Sequence, residues 1–175
     1  SASTRQALQD GAVACLVEAD GVEAHVQAWQ AAGLLDRVVA VDASAAMLQA
    51  AKKRLHGVSN VDLRRGDIEA LPIDDRRLDA ATLMLVLHHL AEPAKALAEV
   101  ARVLRPGGRL VIVDMLPHDR DSYRQQMGHD WLGFAEDHVA RMFEDAGFGK
   151  VRVVPMAPDA RAKGPGLFVA TGEKH

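Results

Sequence analysis

Short, almost wholly apolar runs alternate with longer amphipathic segments along most of this chain, and this alternation restricts its fold more than any other feature. The runs VVAVD (38–42) and LVIVDM (110–115) lack the alternation of polar and apolar residues found in strands with one wet face. They are typical of strands buried on both faces. Residues 44–57 instead carry apolar side chains every three or four positions, as a helix with one buried stripe does. The pattern predicts an α/β fold with a parallel sheet covered on both faces.

Cap and turn residues divide the chain into elements. Ser44 predicts the start of a helix and Gly57 its end, and Pro93 predicts the start of another. Pro106-Gly107-Gly108 predicts the stop of that helix and a tight turn, and a polar, aromatic excursion follows over 117–134. The predicted strands are 12–18, 38–42, 61–65, 79–85, 110–115, 151–155 and 166–171, with further helices over 22–32 and 139–146. The last two strands predict an antiparallel edge hairpin, and we expect residues 1–175 to form one domain.

Composition excludes several classes of protein and site. The formal net charge of −3 gives no overall basic field to attract nucleic acid or an anionic membrane surface. Cys15 is the single cysteine, which excludes an internal disulfide and a cysteine-based zinc cluster. No apolar run reaches the roughly 18 residues of a transmembrane helix, and no signal-peptide pattern is present. We therefore expect a cytoplasmic protein with neither a nucleic-acid nor a membrane partner.

Four segments follow one another in order: VVAVDAS (38–44), RRGDIEALP (64–72), LDAATLMLVLHHL (78–90) and ALAEVARVLRPGGRLVIVD (96–114). In this order and spacing they resemble class I S-adenosylmethionine (SAM)-dependent methyltransferases, and among these the methyltransferase type 11-like domains. The resemblance implies a doubly wound, mostly parallel, seven-stranded Rossmann-like sheet. It also implies methyl transfer from SAM to an unidentified small-molecule acceptor, with S-adenosylhomocysteine (SAH) as product. Residues 118–134 resemble the corresponding part of domains fused to ArsR-type winged-helix transcription regulators.

The ends of the predicted strands supply the candidate cofactor site, because ligands of open parallel sheets bind at the carboxyl ends of strands. Asp42 can accept hydrogen bonds from both ribose hydroxyls, or it can simply cap the next helix. Met47 can pack on the adenine or belong to the core. Asp67 can accept from the adenine amine while Ile68 covers the ring, or it can be an ordinary turn residue. The resemblance implies cofactor contacts by Glu18, Asp20, Gly21, Asp42, Ala43, Ser44, Met47, Gly66, Asp67, Ile68, Leu83, Met84 and His88.

Histidines and aromatic residues supply candidates for the acceptor site. His88 and His129 are candidate general bases, although transfer from a sulfonium depends mainly on alignment and the catalytic residue stays unidentified. Neighbouring side chains point in different directions, so we expect His88 and His89 to diverge and predict no metal site. Tyr123, His129 and Trp131 are the candidates for substrate contact. The alternative is a surface insertion that Trp131 and Phe134 anchor to the core.

One loop departs from the pattern that the resemblance implies. The family usually carries an acidic residue and several glycines after its first strand, so that the backbone approaches the cofactor closely. Here the stretch EADGVEAHVQA (18–28) has Gly21 alone. Three explanations remain: a remodelled loop that still binds SAM, a domain that has lost binding, or an altered sequence. Accordingly three functions remain: an enzyme, a module that senses SAM or SAH for an ArsR-type regulator, and a degenerate scaffold that binds or forms a homodimer.

Overall fold

The computed structural model describes residues 13–17, 37–157 and 164–175. Its strands are β1 (Val13–Val17), β2 (Val38–Asp42), β3 (Val61–Arg65), β4 (Leu78–Met84), β5 (Leu104–Met115), β6 (Phe148–Pro155) and β7 (Leu167–Lys174). Its helices are α1 (Ala45–Arg54), α2 (Pro93–Val103), α3 (Ser122–Met127) and α4 (Glu136–Asp145), with a single 3₁₀ turn at Leu87–His89. The α/β class predicted from the sequence is confirmed. None of the described helices is long and apolar enough to cross a bilayer.

The strands form one sheet in the order β3-β2-β1-β4-β5-β7-β6. The first five strands of this order pair in parallel, so their carboxyl ends lie at one edge. β1 pairs with β2 on one side and with β4 on the other, and the strand order therefore reverses there. Such a reversal opens a crevice at the carboxyl edge, where ligands of this architecture bind.

The other edge is the predicted antiparallel hairpin. β7 pairs with β5 and β6 pairs with β7, both in antiparallel register. Both strands are longer than predicted, because the additional pairs include Gly149 with Glu173 and Phe148 with Lys174. Glycine and charged residues carry little strand propensity, so these pairs depend on the neighbouring strand rather than on local sequence.

Apolar side chains cover both faces of the sheet. Val39 and Val41 of β2 belong to one buried cluster, together with Leu97 of α2. Val38 and Ala40 alternate with them and belong to a second cluster that packs on α1. This alternation explains why the run 38–42 is apolar throughout.

Pro106-Gly107-Gly108 lies inside β5 rather than in a turn before it, which corrects the prediction from sequence. The helix ends at Val103, and the strand begins at the next residue. The register between β4 and β5 shifts between Leu78 and Ala80, and Gly107 there has a φ of +78°. The glycine therefore allows an irregularity within a continuing strand.

Candidate functional site

The end of β2 places the carboxylate of Asp42 at the carboxyl edge of the sheet. The backbone N–H of Ser44 donates to Oδ1 of Asp42 over 2.7 Å. Ser44 is the N-cap of α1, as predicted, and its Oγ accepts from the N–H of Met47 at 3.3 Å. A carboxylate offers about four acceptor positions, so the half-buried Asp42 keeps capacity for a ligand after this bond. The cap and the ligand interpretations of Asp42 are therefore compatible.

The segment after β3 brings a second carboxylate to the same edge. The N–H of Gly66 donates to the carbonyl oxygen of Asp42 over 3.2 Å, which joins the two strand ends. Asp67 is exposed, and its Oδ1 accepts from the N–H of Glu69 at 2.9 Å. A side chain at Gly66 would overlap the ring of Pro72, so glycine is required for this close approach.

Apolar contacts accompany these carboxylates. Ile68 is half-buried and packs against the core beside Asp67. Met47 lines a small cavity whose wall also includes Asp42, Leu48 and Leu63. Carboxylates that accept, set beside apolar side chains, fit a ligand with hydroxyl and amino donors on a flat ring. The residues present thus suit the ribose and adenine of an adenosyl group.

The other described residues that were predicted to contact the cofactor differ in how far they are buried. Leu83 is fully buried in the core, Met84 is half-buried, and Ala43 is exposed with its carbonyl accepting from Arg65 Nε at 3.2 Å. The fourth strand ends one residue earlier than predicted, because Leu85 takes a left-handed φ of +58°. Glu18, Asp20 and Gly21 lie outside the described residues.

His88 is held by a buried carboxylate at the end of β5. Its Nδ1 lies 2.7 Å from Oδ1 of Asp114, and both side chains are buried. Asp114 Oδ2 accepts in addition from the N–H of Leu87 at 2.9 Å. Because a carboxylate only accepts, Nδ1 of His88 carries the proton of this bond. The sequence singled out His88 but carried no signal of its pairing with Asp114.

A cluster of imidazoles surrounds this pair. The ring centroids of His88 and His89 are 4.1 Å apart, so the expected divergence of these neighbours is wrong. Both residues lie in the 3₁₀ turn at Leu87–His89, and their rings nevertheless meet. His129 packs at 4.3 Å from His88 and 4.8 Å from His89. Burial first, and then the imidazoles of His88, His89 and His118, lower the pKa of His129 to about 4.

The excursion over 117–134 reaches the cluster through backbone bonds. The N–H groups of Asp130 and Trp131 both donate to the carbonyl oxygen of His88, at 2.9 and 3.1 Å. Trp131 Nε1 donates to the carbonyl oxygen of Leu90 at 2.9 Å. Trp131 also packs against the core, and Phe134 is fully buried, as the anchoring alternative requires.

Tyr123 lies at the outer side of the same cluster. Its ring centroid is 5.2 Å from that of His129, and its hydroxyl accepts from Arg120 Nη1 at 2.8 Å. Tyr123 is half-buried and His129 buried. Tyr123 and His129 therefore lie together beside His88. Trp131 reaches His88 through its backbone N–H, while its ring packs on Phe134 and His138.

Comparison with known proteins gives a consistent result. Residues 19–112 match the family model described as "Methyltransferase domain". An uncharacterized 37.1 kDa protein of transposon TN4556 from Streptomyces fradiae is 38% identical over 132 residues, which are 69% of this chain and 38% of that protein. A demethylmenaquinone methyltransferase from Clavibacter sepedonicus is 44% identical over 77 residues, which are 44% of this chain and 31% of that enzyme. The chain thus spans about a third of the length of these relatives.

A solved structure shares the fold. A SAM-dependent methyltransferase from Aquifex aeolicus superposes with a TM-score of 0.71 at 23% identity, covering 98% of this chain and 87% of the other. At this identity the likeness shows the fold alone.

Proposed function

This chain belongs to the methyltransferase domain family, and we propose on that basis that it transfers a methyl group from SAM to a small-molecule acceptor. SAM is the cofactor of this family, and it supplies an activated methyl group on a sulfonium. The strand order and the two covered faces support a doubly wound, Rossmann-like sheet as the frame of the site.

One observation carries the proposal: two carboxylates stand on neighbouring strand ends that a backbone bond joins. The N–H of Gly66 donates to the backbone carbonyl oxygen of Asp42. This bond brings Asp67, the next residue, to the same edge of the sheet as Asp42. In the proposed complex Asp42 accepts from the ribose hydroxyls and Asp67 from the amine of adenine. Met47 and Ile68 supply apolar contacts to the ring. These residues bind and orient, and alignment contributes most of what methyl transfer needs.

The proposed acceptor site lies at the end of β4, the strand that follows β3 in the sequence and lies beyond β1 in the sheet. The cluster of His88, His89 and His129 lies at the end of β4, next to Asp114 at the end of β5. Tyr123 borders it and offers a ring face to an apolar acceptor, and Trp131 anchors the segment that carries His129. The quinone methyltransferase among the relatives supports a small-molecule acceptor, such as a demethylated quinone.

Calorimetric titration of the purified chain with SAM and with SAH tests the cofactor site. We expect micromolar binding of SAH that weakens at least about 10-fold in Asp42→Ala, because bonds to a carboxylate contribute roughly 1.5–3 kcal/mol. Asp145→Ala is the matched control, since Asp145 is an exposed carboxylate at the end of α4. Absence of binding at millimolar concentration of either compound would contradict the proposal and leave the degenerate scaffold.

Turnover is tested separately from binding. The chain is incubated with SAM and a panel of demethylated quinones and phenols, and the release of SAH is measured. Methylation of any member supports the enzyme. SAH binding without release across the panel would instead favour the sensing module.

A further inference from the structure

Three imidazoles converge from two segments that are distant in sequence. His88 and His89 come from the 3₁₀ turn after β4, and His129 comes from the loop after α3. One nitrogen of each ring can be chosen so that all three lie within 4.8 Å of one another. We propose that His88, His89 and His129 bind a divalent transition-metal ion such as Zn²⁺, next to the acceptor.

Hydrogen bonding fixes the tautomer of His88 that a metal requires. Its Nδ1 donates to the buried carboxylate of Asp114 over 2.7 Å, so in the neutral imidazole Nε2 is the nitrogen that carries the unshared electron pair. A carboxylate behind a ligating imidazole is the usual support of such a ligand, because it orients the ring and raises its basicity. Asp114 therefore takes the position of the carboxylate that supports a metal-binding histidine from behind.

His89 is prepared in the same way by a backbone group. Its Nδ1 lies 3.2 Å from the carbonyl oxygen of Gly128, which can only accept. Nδ1 of His89 therefore donates to this oxygen, and the bond fixes the orientation of the ring within the cluster. The half-buried position of His89 gives the cluster a side that an ion in solution can reach.

His129 supplies an observation that packing alone does not explain. Its Nδ1 is buried and has no hydrogen-bond partner within the described part of the chain. An unsatisfied buried polar atom costs about 1–3 kcal/mol, and coordination would remove that cost.

The spacing of the cluster needs a small adjustment to hold an ion. Bonds of about 2.0–2.1 Å from imidazole to tetrahedral zinc place the nitrogens about 3.4 Å apart. The nitrogens lie within 4.8 Å of one another, so ring rotations of about an ångström close the site. Three histidines leave one position open. On the proposed function, a hydroxyl oxygen of the acceptor would occupy that position, and the ion would make the hydroxyl more acidic so that its proton is released to solvent before methyl transfer.

Titration of the purified chain with Zn²⁺ by calorimetry, and with Co²⁺ by visible absorption, tests the site. We expect one ion per chain with micromolar or tighter affinity, and the intense bands of a tetrahedral cobalt complex. His89→Gln and His129→Gln each lower the affinity at least about 10-fold, whereas the exposed His56→Gln leaves it unchanged. Asp114→Asn keeps all three imidazoles and still weakens binding by about 10- to 100-fold.

Folding and SAH binding are measured on the same variants, so that a loss of zinc affinity is not confused with unfolding or with loss of the cofactor site. Circular dichroism of His89→Gln, whose side chain is half-buried, verifies that the variant is folded. Equal zinc affinity in the wild type, His89→Gln and His129→Gln would overturn the proposal, and so would a folded wild type that binds no ion below about 0.1 mM. SAH titration of the same proteins reports on the proposed cofactor site at Asp42 and Asp67. Loss of the metal site is thereby distinguished from loss of the cofactor site.

Discussion

Nδ1 of His88 lies 2.7 Å from Oδ1 of Asp114, and the exposed fractions of the two side chains are 1% and 0%. The other carboxylate oxygen accepts from the N–H of Leu87 at 2.9 Å. Asp114 therefore ties the turn that carries His88 to the end of the neighbouring strand. Three buried donors depend on this one carboxylate, because the N–H of Met115 also donates to Oδ1 over 2.7 Å.

We expect Asp114→Ala to lower the free energy of unfolding by about 3 kcal/mol, because it leaves the N–H of Leu87 and Nδ1–H of His88 buried without an acceptor. Asp137→Ala is the matched control, since its pair with Arg141 is exposed on α4 and contributes less than about 1 kcal/mol. Urea unfolding of the two variants makes the comparison. Equal losses would show that the pair with His88 is not what stabilises this turn.

The same pair shows where prediction from the sequence succeeds and where it stops. The bounds of β2 and β3 were predicted to the residue, because apolar runs and the turn residues beside them are local signals. The contact of His88 with Asp114 spans 26 positions and follows from the register of two parallel strands, which no local pattern encodes. Similarity to domains fused to ArsR-type regulators stays a prediction.

The position of His129 is a second feature that depends on contacts between segments distant in the sequence. It reaches His88 because the excursion docks through Trp131 on Leu90 and through two N–H groups on His88. Aromatic residues in the sequence indicated an anchor but not its direction. The cluster of His88, His89 and His129 therefore forms only when strand order, turn and loop are combined.

Stability should fall with acid because of His129. Burial and the imidazoles of His88, His89 and His118 lower the pKa of His129 from 6.5 to about 4 in the folded state. The unfolded chain therefore takes up this proton first as the pH falls. The contribution of neutral His129 is fully present above pH about 6.5 and is lost as the pH falls to about 4, amounting to roughly 3 kcal/mol.

Urea unfolding at pH 7 and at pH 4.5 measures this contribution. His129→Gln should reduce the difference between the two pH values, and the exposed His56→Gln should leave it unchanged. Part of the difference persists in His129→Gln, because burial also lowers the pKa of His118. An identical pH dependence in the wild type and in His129→Gln would mean that His129 titrates normally.

Two glycines with similar backbone conformations separate backbone strain from steric exclusion. Gly133 has φ +82° and Gly128 has φ +68°. A Cβ at Gly133 would overlap the carbonyl oxygen of Leu116, whereas one at Gly128 would meet nothing within 4 Å. We expect Gly128→Ala to cost about 1 kcal/mol and Gly133→Ala roughly 3 kcal/mol or more.

Urea unfolding followed by tryptophan fluorescence measures both variants. Both are made in a Trp29→Phe background, so that the signal comes from Trp131, which lies two residues before Gly133. The prediction concerns the difference between the two variants in the free energy of unfolding, rather than the loss in either variant alone. Similar losses would show that Leu116 moves aside readily and that the excursion is loosely attached.

Recognition of the adenine amine should depend on Asp67. A carboxylate accepts a hydrogen bond from the amine, but it repels the carbonyl oxygen that replaces the amine in S-inosylhomocysteine. We expect the wild type to prefer SAH over S-inosylhomocysteine by about 10-fold or more, which corresponds to one bond to a charged group. Asp67→Ala should abolish this preference rather than all binding, because Asp42 still holds the ribose in the proposed complex.

Glu69→Ala is the control for this prediction, because it removes an exposed acid in the same loop and should retain the preference for SAH. If calorimetry finds the preference undiminished in Asp67→Ala, the amine is read by another group, and Asp67 serves only to order the turn through the N–H of Glu69.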